Sequence, residues 1–130
     1  MKRPLLIAIT GGSGSGKTTL SRHIRDHFGT ERVSTLYQDS YYHDQSDRFE
    51  KDGDVNFDHP DSLDFPLMAK HLELLRANEG IQAPIYDFST HTRSEQSMHY
   101  NPVEIILVDG TLILSQDILL PLLDLKVFIR

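Results

Sequence analysis

The chain has 130 residues and carries 13 Lys+Arg against 19 Asp+Glu, a formal charge of −6, so most of its surface repels a polyphosphate backbone and no nucleic-acid partner is expected. The length suits one domain built on one core. With no cysteine, disulfides, thiolate metal sites and a Cys nucleophile are excluded, and the composition fits a reducing compartment.

Leu5 to Thr10 is a short apolar run bounded by Pro4 and glycines, the pattern of a strand covered on both faces of a parallel sheet. It is too short for a secretory leader, and no later run approaches the roughly 18 apolar residues of a membrane span. A soluble, cytoplasmic protein without a membrane partner is expected. Leu20, Ile24 and Phe28 recur every fourth residue, predicting a helix from about Lys17 to Phe28 that ends at Gly29. Val33 to Tyr37 reads as a second strand, which folds of this kind often set beside the first. It releases the chain into a polar, aromatic loop, Gln38-Asp39-Ser40-Tyr41-Tyr42.

Asp44 to Asp61 is polar, with Phe49, Val55 and Phe57 as apolar anchors, and reads as an ordered loop. A helix follows from about Phe65 to Asn78, with Leu67, Met68, Leu72 and Leu75 on one side, an Asp64 cap and a Gly80 stop. Ile81 to Tyr100 reads as two short alternating runs around Ser89 to Ser94, a hairpin apart from the main sheet. Val103 to Val108 is the next buried strand, a short helix around Ser115 to Leu120 follows, and Lys126 to Ile129 is the last strand. The alternation predicts one α/β domain over residues 1–130, a three-layer parallel sheet flanked by helices with ligands at the carboxyl ends of its strands, and a hairpin at about 81–100.

Gly11-Gly12-Ser13-Gly14-Ser15-Gly16-Lys17-Thr18 satisfies G-x-x-x-x-G-K-[ST] between a predicted strand and a predicted helix, the setting of a P-loop. Glycines let the backbone curl so that successive N–H groups face phosphate oxygens, and the helix that follows through Thr19 presents its positive end. Lys17 adds a charge for the β- and γ-phosphates, and the Thr18 hydroxyl suits Mg²⁺. A nucleoside triphosphate, ATP or GTP, is the expected donor. Ile105 to Val108 carries Asp109 to the end of a strand, where a carboxylate can join the Mg²⁺ shell; alone, Asp-Gly there is more often a turn. Asp39, after the second strand, could accept the proton of an attacking hydroxyl, and its position leaves a helix-capping role equally open. His23 and His27 fall beside the apolar stripe of their helix and read as surface residues rather than zinc ligands.

Gln38-Asp39-Ser40-Tyr41-Tyr42, Asn56-Phe57-Asp58-His59-Pro60-Asp61, Pro84-Ile85-Tyr86-Asp87-Phe88 and His91-Thr92-Arg93 follow the P-loop in the order and approximate spacing of the uridine kinase (uridine–cytidine kinase) family, which the chain resembles across residues 7 to 110. The resemblance implies a P-loop fold and transfer of the ATP γ-phosphate to the 5′-hydroxyl of uridine or cytidine. It implies that Asp39 is the catalytic base, that Asp58 holds the ribose hydroxyls and that Tyr42 is a tyrosine on the substrate side. It also implies that Tyr86 and His91 read the pyrimidine edge, with Phe57 and Arg93 as pocket neighbours, and it suggests a homo-oligomer. The bare residues allow plainer roles: Asp58 closing a turn, Tyr86 a half-buried strand residue, His91 a solvated tip.

Two departures stand out. Asp109-Gly110 replaces the family's usual Glu-Gly, so metal contact is expected to run through water. The chain also stops at Arg130, whereas family members continue through an arginine-rich lid, so a truncated kinase with weak turnover of its own and an open edge on its last strand is expected. Alternatives from the sequence are a related small-molecule kinase of phosphoribulokinase or pantothenate kinase type, and a nucleotide-binding fragment that acts through binding or assembly.

Overall fold

The computed structural model describes residues 3–11, 16–43 and 60–129. Four strands form a parallel sheet: β1 (Leu5–Thr10), β2 (Val33–Tyr37), β5 (Ile105–Asp109) and β6 (Leu125–Phe128), in the order β2-β5-β1-β6. β3 (Ile81–Asp87) and β4 (Thr92–Tyr100) pair antiparallel in a separate two-stranded sheet, the hairpin expected from the sequence. Two helices complete the frame, α1 (Lys17–Phe28) and α2 (Phe65–Arg76).

Alternation along the strands divides the core between the two faces of the sheet. Leu6, Ala8, Leu36, Ile106 and Val108 pack with Met68, Leu72 and Leu75 of α2, while Ile7, Ile9, Val33, Ile105 and Leu107 pack with Leu20 and Ile24 of α1. Helix, sheet and helix thus make the three-layer α/β arrangement. Burying one such leucine or isoleucine contributes about 1.5–3 kcal/mol, so the apolar strand cores dominate the stability of the frame.

Several boundaries and neighbours differ from the sequence expectation. β2 lies beside β5 rather than β1, because the four apolar residues of β5 are buried on both faces and take the interior place, whereas β2 carries Ser34 and an exposed Tyr37 and sits at an edge. Phe28 leaves the apolar stripe of α1: it is 39% exposed at the end of the helix and stacks edge-on against His27, their rings 4.7 Å apart. α2 stops at Arg76, and its stop is Asn78 rather than Gly80. Asn78 takes the left-handed conformation at φ 63°, and the bonds Glu79 N to Leu74 O (2.9 Å) and Asn78 N to Leu75 O (3.0 Å) close the helix end. The helix expected around Ser115 to Leu120 is instead two 3-10 turns, Ile113–Ser115 and Leu120–Leu122, since Pro121 has no amide to extend a ladder and the run is too short to be cooperative.

Other expectations hold. Asp64 caps α2, accepting from Leu67 N at 3.2 Å. His23 and His27 are exposed, and β6 is the outermost strand on its side of the sheet among the described residues. No helix among the described residues is long and apolar enough to cross a membrane. The loop expected over Asp44 to Asp61 lies outside the described residues except for its last two, which begin a 3-10 turn at Pro60–Ser62.

Candidate active site

Register in the sheet gathers the predicted site residues. Ile9, Asp109 and Tyr37 are aligned across β1, β5 and β2, so the segments that follow them, Thr10-Gly11, Gly110-Thr111 and Gln38-Asp39, leave the sheet side by side at its carboxyl end. That is where open α/β sheets bind ligands, because the chain diverges there and leaves backbone groups to be satisfied from outside. A cavity of about 200 Å³ opens at this end, lined by Lys17, Tyr37, Asp39, Tyr42, Asp109, Gly110 and Thr111.

Lys17 is the first residue of α1, and Gly16 before it holds φ 101°, a left-handed turn into the helix that a side chain would strain. Gly11 at the end of β1 also has a positive φ, 150°. From the start of α1 the Lys17 ammonium reaches Asp109, Nζ to Oδ1 3.3 Å, with both side chains mostly covered. Thr18 and Thr19 follow in the first helical turn and are exposed. Gly12, Ser13, Gly14 and Ser15 lie outside the described residues, as do Phe57 and Asp58.

Asp39 sits in a 3-10 turn, Gln38–Tyr41, rather than an irregular loop. Its side chain stays open to water at the cavity mouth, yet the surrounding protein displaces part of its hydration and raises its pKa above the ordinary 3.8. Lys17 pulls in the opposite direction, and Asp109 adds a smaller upward push. The three charged groups of the cavity therefore sense one another. Asp109 at the end of β5 and Thr18 in the first turn of α1 each carry an oxygen of the kind a hard divalent cation such as Mg²⁺ takes as a ligand. Among the described residues no group of three or more His, Cys, Asp or Glu could hold a metal.

The hairpin enters through aromatic contacts. Tyr42, in the cavity wall, lies 5.4 Å from the Tyr86 ring and 6.0 Å from Phe88, and Tyr86 and Phe88 are 4.8 Å apart. Tyr42 and Tyr86 are buried and Phe88 is exposed, so the cluster has a covered base and an open lip. His91 occupies the hairpin turn at φ 55°, a left-handed conformation that His tolerates better than most residues. The Arg93 guanidinium donates through Nη2 to Asp64 Oδ2 at 3.2 Å and to Tyr41 O at 3.4 Å. It ties the hairpin to the α2 cap and to the turn that bears Asp39.

No role for Tyr41, His71 or Gln38 was legible in the residues alone. Tyr41 is fully buried and its hydroxyl meets His71 Nδ1 at 2.7 Å, fastening the Asp39 turn to α2. Burial raises the tyrosine pKa and lowers that of His71, so the pair is neutral. A histidine on the buried face of a predicted helix was the one signal available in the sequence.

A sequence model of the family described as "Phosphoribulokinase / Uridine kinase family" matches residues 6–130. The chain belongs to that family. Among curated members of the phosphoribulokinase/uridine kinase family, the chain is 43% identical over 129 residues to the uridine kinase of Limosilactobacillus reuteri, covering 98% of this chain and 59% of that protein. It is 45% identical over 130 residues to the uridine kinase of Clostridium perfringens, covering 99% of this chain and 62% of that protein. The chain thus spans about three-fifths of the length of these relatives. Two solved structures share the fold. One, from Bacillus stearothermophilus and titled a possible uridine kinase, superposes with a TM-score of 0.73 at 20% identity over 98% of this chain and 71% of its own. The phosphoribulokinase of Rhodobacter spheroides gives 0.66 at 15% identity over 98% of this chain and 50% of its own. The sequence expectation of a P-loop kinase fold in this family is met.

Proposed function

We propose that the chain carries the donor and acceptor sites of a pyrimidine nucleoside kinase, which moves the γ-phosphate of ATP to the 5′-hydroxyl of uridine or cytidine. The observation that carries this reading is the cavity that Lys17, Asp39, Asp109 and Tyr42 line together, with Tyr42 in contact with the Tyr86 and Phe88 rings of the hairpin. The curated relatives named above are uridine kinases, which favours a nucleoside as acceptor.

In this reading the glycine-rich motif from Gly11 to Thr19 binds the triphosphate, and Lys17 leaves Asp109 to pair with the β- and γ-phosphates. Asp39 accepts the proton of the 5′-hydroxyl as its oxygen attacks phosphorus, and the bond from the γ-phosphorus to the β–γ bridging oxygen breaks. The products are a nucleoside 5′-monophosphate and ADP. Thr18 and Asp109 would hold Mg²⁺, directly or through water, and the ion would neutralise charge on the phosphate oxygens. Tyr42, Tyr86 and His91 form the acceptor side, where an aromatic surface with polar edges suits a pyrimidine, and Asp58 and Phe57 complete it as the family resemblance implies. Arg93 supports that side by holding the hairpin in place. A cytoplasmic location and ATP or GTP as the donor belong to the same reading.

A panel of acceptors tests it. Radiolabelled ATP is offered with uridine, cytidine, ribulose 5-phosphate and pantothenate, and label is expected on the two nucleosides alone. Label on ribulose 5-phosphate or pantothenate, with none on the nucleosides, would reassign the acceptor.

A further inference from the structure

The loop after β5 is anchored on two sides. Toward β1, Gly110 N donates to Ile9 O and the Thr10 hydroxyl donates to Thr111 O, each at 3.3 Å. Toward the Asp39 turn, Leu112 N donates to Gln38 Oε1 at 2.8 Å. Gln38 is 2% exposed, so this bond is sheltered from competing water, and loss of the acceptor would strand a peptide N–H. Packing reinforces the bond. A methyl group at Gly110 would overlap Gln38 Cβ and Oε1, so the two segments approach more closely than any residue but glycine allows.

Gln38 and Gly110 immediately adjoin the two carboxylates that line the cavity, Asp39 and Asp109. We propose that Gln38 is a positioning residue: its side-chain amide braces the turn that carries Asp39 against the loop that follows Asp109, fixing the distance between the acceptor side and the phosphate side of the site. The catalytic half of this inference rests on the kinase reading, while the brace itself does not. A displacement of about 1 Å between a base and a phosphate group is enough to cost roughly 100-fold in rate. A buried side chain spanning the two loops is therefore worth more to kcat than to binding on either side.

Gln38→Met and Gln38→Glu separate the brace from simple packing. Methionine keeps the length and bulk beneath Gly110 but offers only a weak sulfur acceptor, whereas glutamate keeps an oxygen for Leu112 N–H in either protonation state. Amide hydrogen exchange in the 130-residue chain should show Leu112 protected, exchanging roughly fivefold to tenfold faster in Gln38→Met and close to wild type in Gln38→Glu. Phosphate transfer should lose roughly tenfold or more in kcat in Gln38→Met, with KM for ATP within about twofold, and recover in Gln38→Glu. An unprotected Leu112 amide in the wild-type chain would overturn the brace even if neither variant folded, and so would equal exchange in wild type and Gln38→Met. If Leu112 responds as expected while kcat is unchanged, the positioning role is refuted. If the wild-type chain transfers no phosphate to any nucleoside, the kinase reading fails, and the brace stands or falls on the exchange rates.

Discussion

A carboxylate that takes a proton from a substrate hydroxyl works better when its own proton affinity is raised, and Asp39 is placed to have it raised. Partial loss of hydration is the largest cause, Lys17 opposes it, and Asp109 adds to it. Since the folded pKa lies above 3.8, Asp39 takes up its proton at a higher pH than an ordinary aspartate, and its ionised form is lost as pH falls through the raised value. Carboxyl-carbon NMR of the unliganded chain should show Asp39 titrating above an ordinary aspartate, and Asp109→Asn should lower its midpoint. A midpoint at or below 3.8 in the wild type would remove the electrostatic account. Lys17 carries a second residue-scale prediction. Removing an ammonium that contacts phosphate costs about 1.5–3 kcal/mol, so Lys17→Ala should weaken binding of a fluorescent ATP analogue by roughly 10- to 100-fold. Unchanged affinity would mean that the ammonium stays with Asp109, 3.3 Å away, when nucleotide is bound.

At the scale of elements, the hairpin and α2 act as a support for the Asp39 turn. Asp64 serves twice, capping α2 through Leu67 N and receiving Arg93 Nη2 from β4, while its own backbone N–H donates to Tyr41 O at 2.7 Å. Asp64→Ala should therefore destabilise the chain by about 0.5–2 kcal/mol for the lost cap, read in urea unfolding, and should also loosen the hairpin. Faster amide exchange across Thr92–Tyr100 would report that loosening, and unchanged exchange there would show that Arg93 does not hold it. Both partners of this contact could be named from the sequence, one as a cap and one as a pocket residue, but their pairing could not, because they lie 29 positions apart. Local signals carried α1, α2 and the hairpin well, since each rests on short-range periodicity and turn residues. They failed where long-range packing decides, as in the place of β5 between β1 and β2, or where Pro121 turns a helical pattern into separate 3-10 turns.

For the molecule as a whole, the end of the sheet remote from the cavity has its own electrostatic fastening. Asp124, just before β6, accepts from Arg3 at 2.9 Å and from Leu6 N at 2.9 Å, with Arg76 3.7 Å away. The hydrogen bond from Arg3 leads in lowering its pKa from 3.8 to about 2. A depressed carboxylate stabilises the fold above its ordinary pKa and loses that contribution as pH falls through the folded value, here between about pH 4 and pH 2. Asp124→Asn should flatten this part of the stability-versus-pH curve, and an unaltered curve would rule the contact out as a source of acid sensitivity.

Sequence reading identified the phosphate loop, the strand-end Asp109 and the motif around Asp39. It could not show that register across β1, β5 and β2 brings Lys17, Asp109 and Asp39 to one cavity, or that Gln38 and Tyr41 hold the Asp39 turn in place. Single-turnover transfer decides whether that convergence makes a catalytic site. With the 130-residue chain in excess over radiolabelled ATP and uridine saturating, even slow chemistry gives labelled nucleoside monophosphate. Asp39→Asn should slow this step by roughly 10²–10⁴-fold while binding the nucleotide as tightly as wild type. Transfer at an undiminished rate in Asp39→Asn would contradict a catalytic site there.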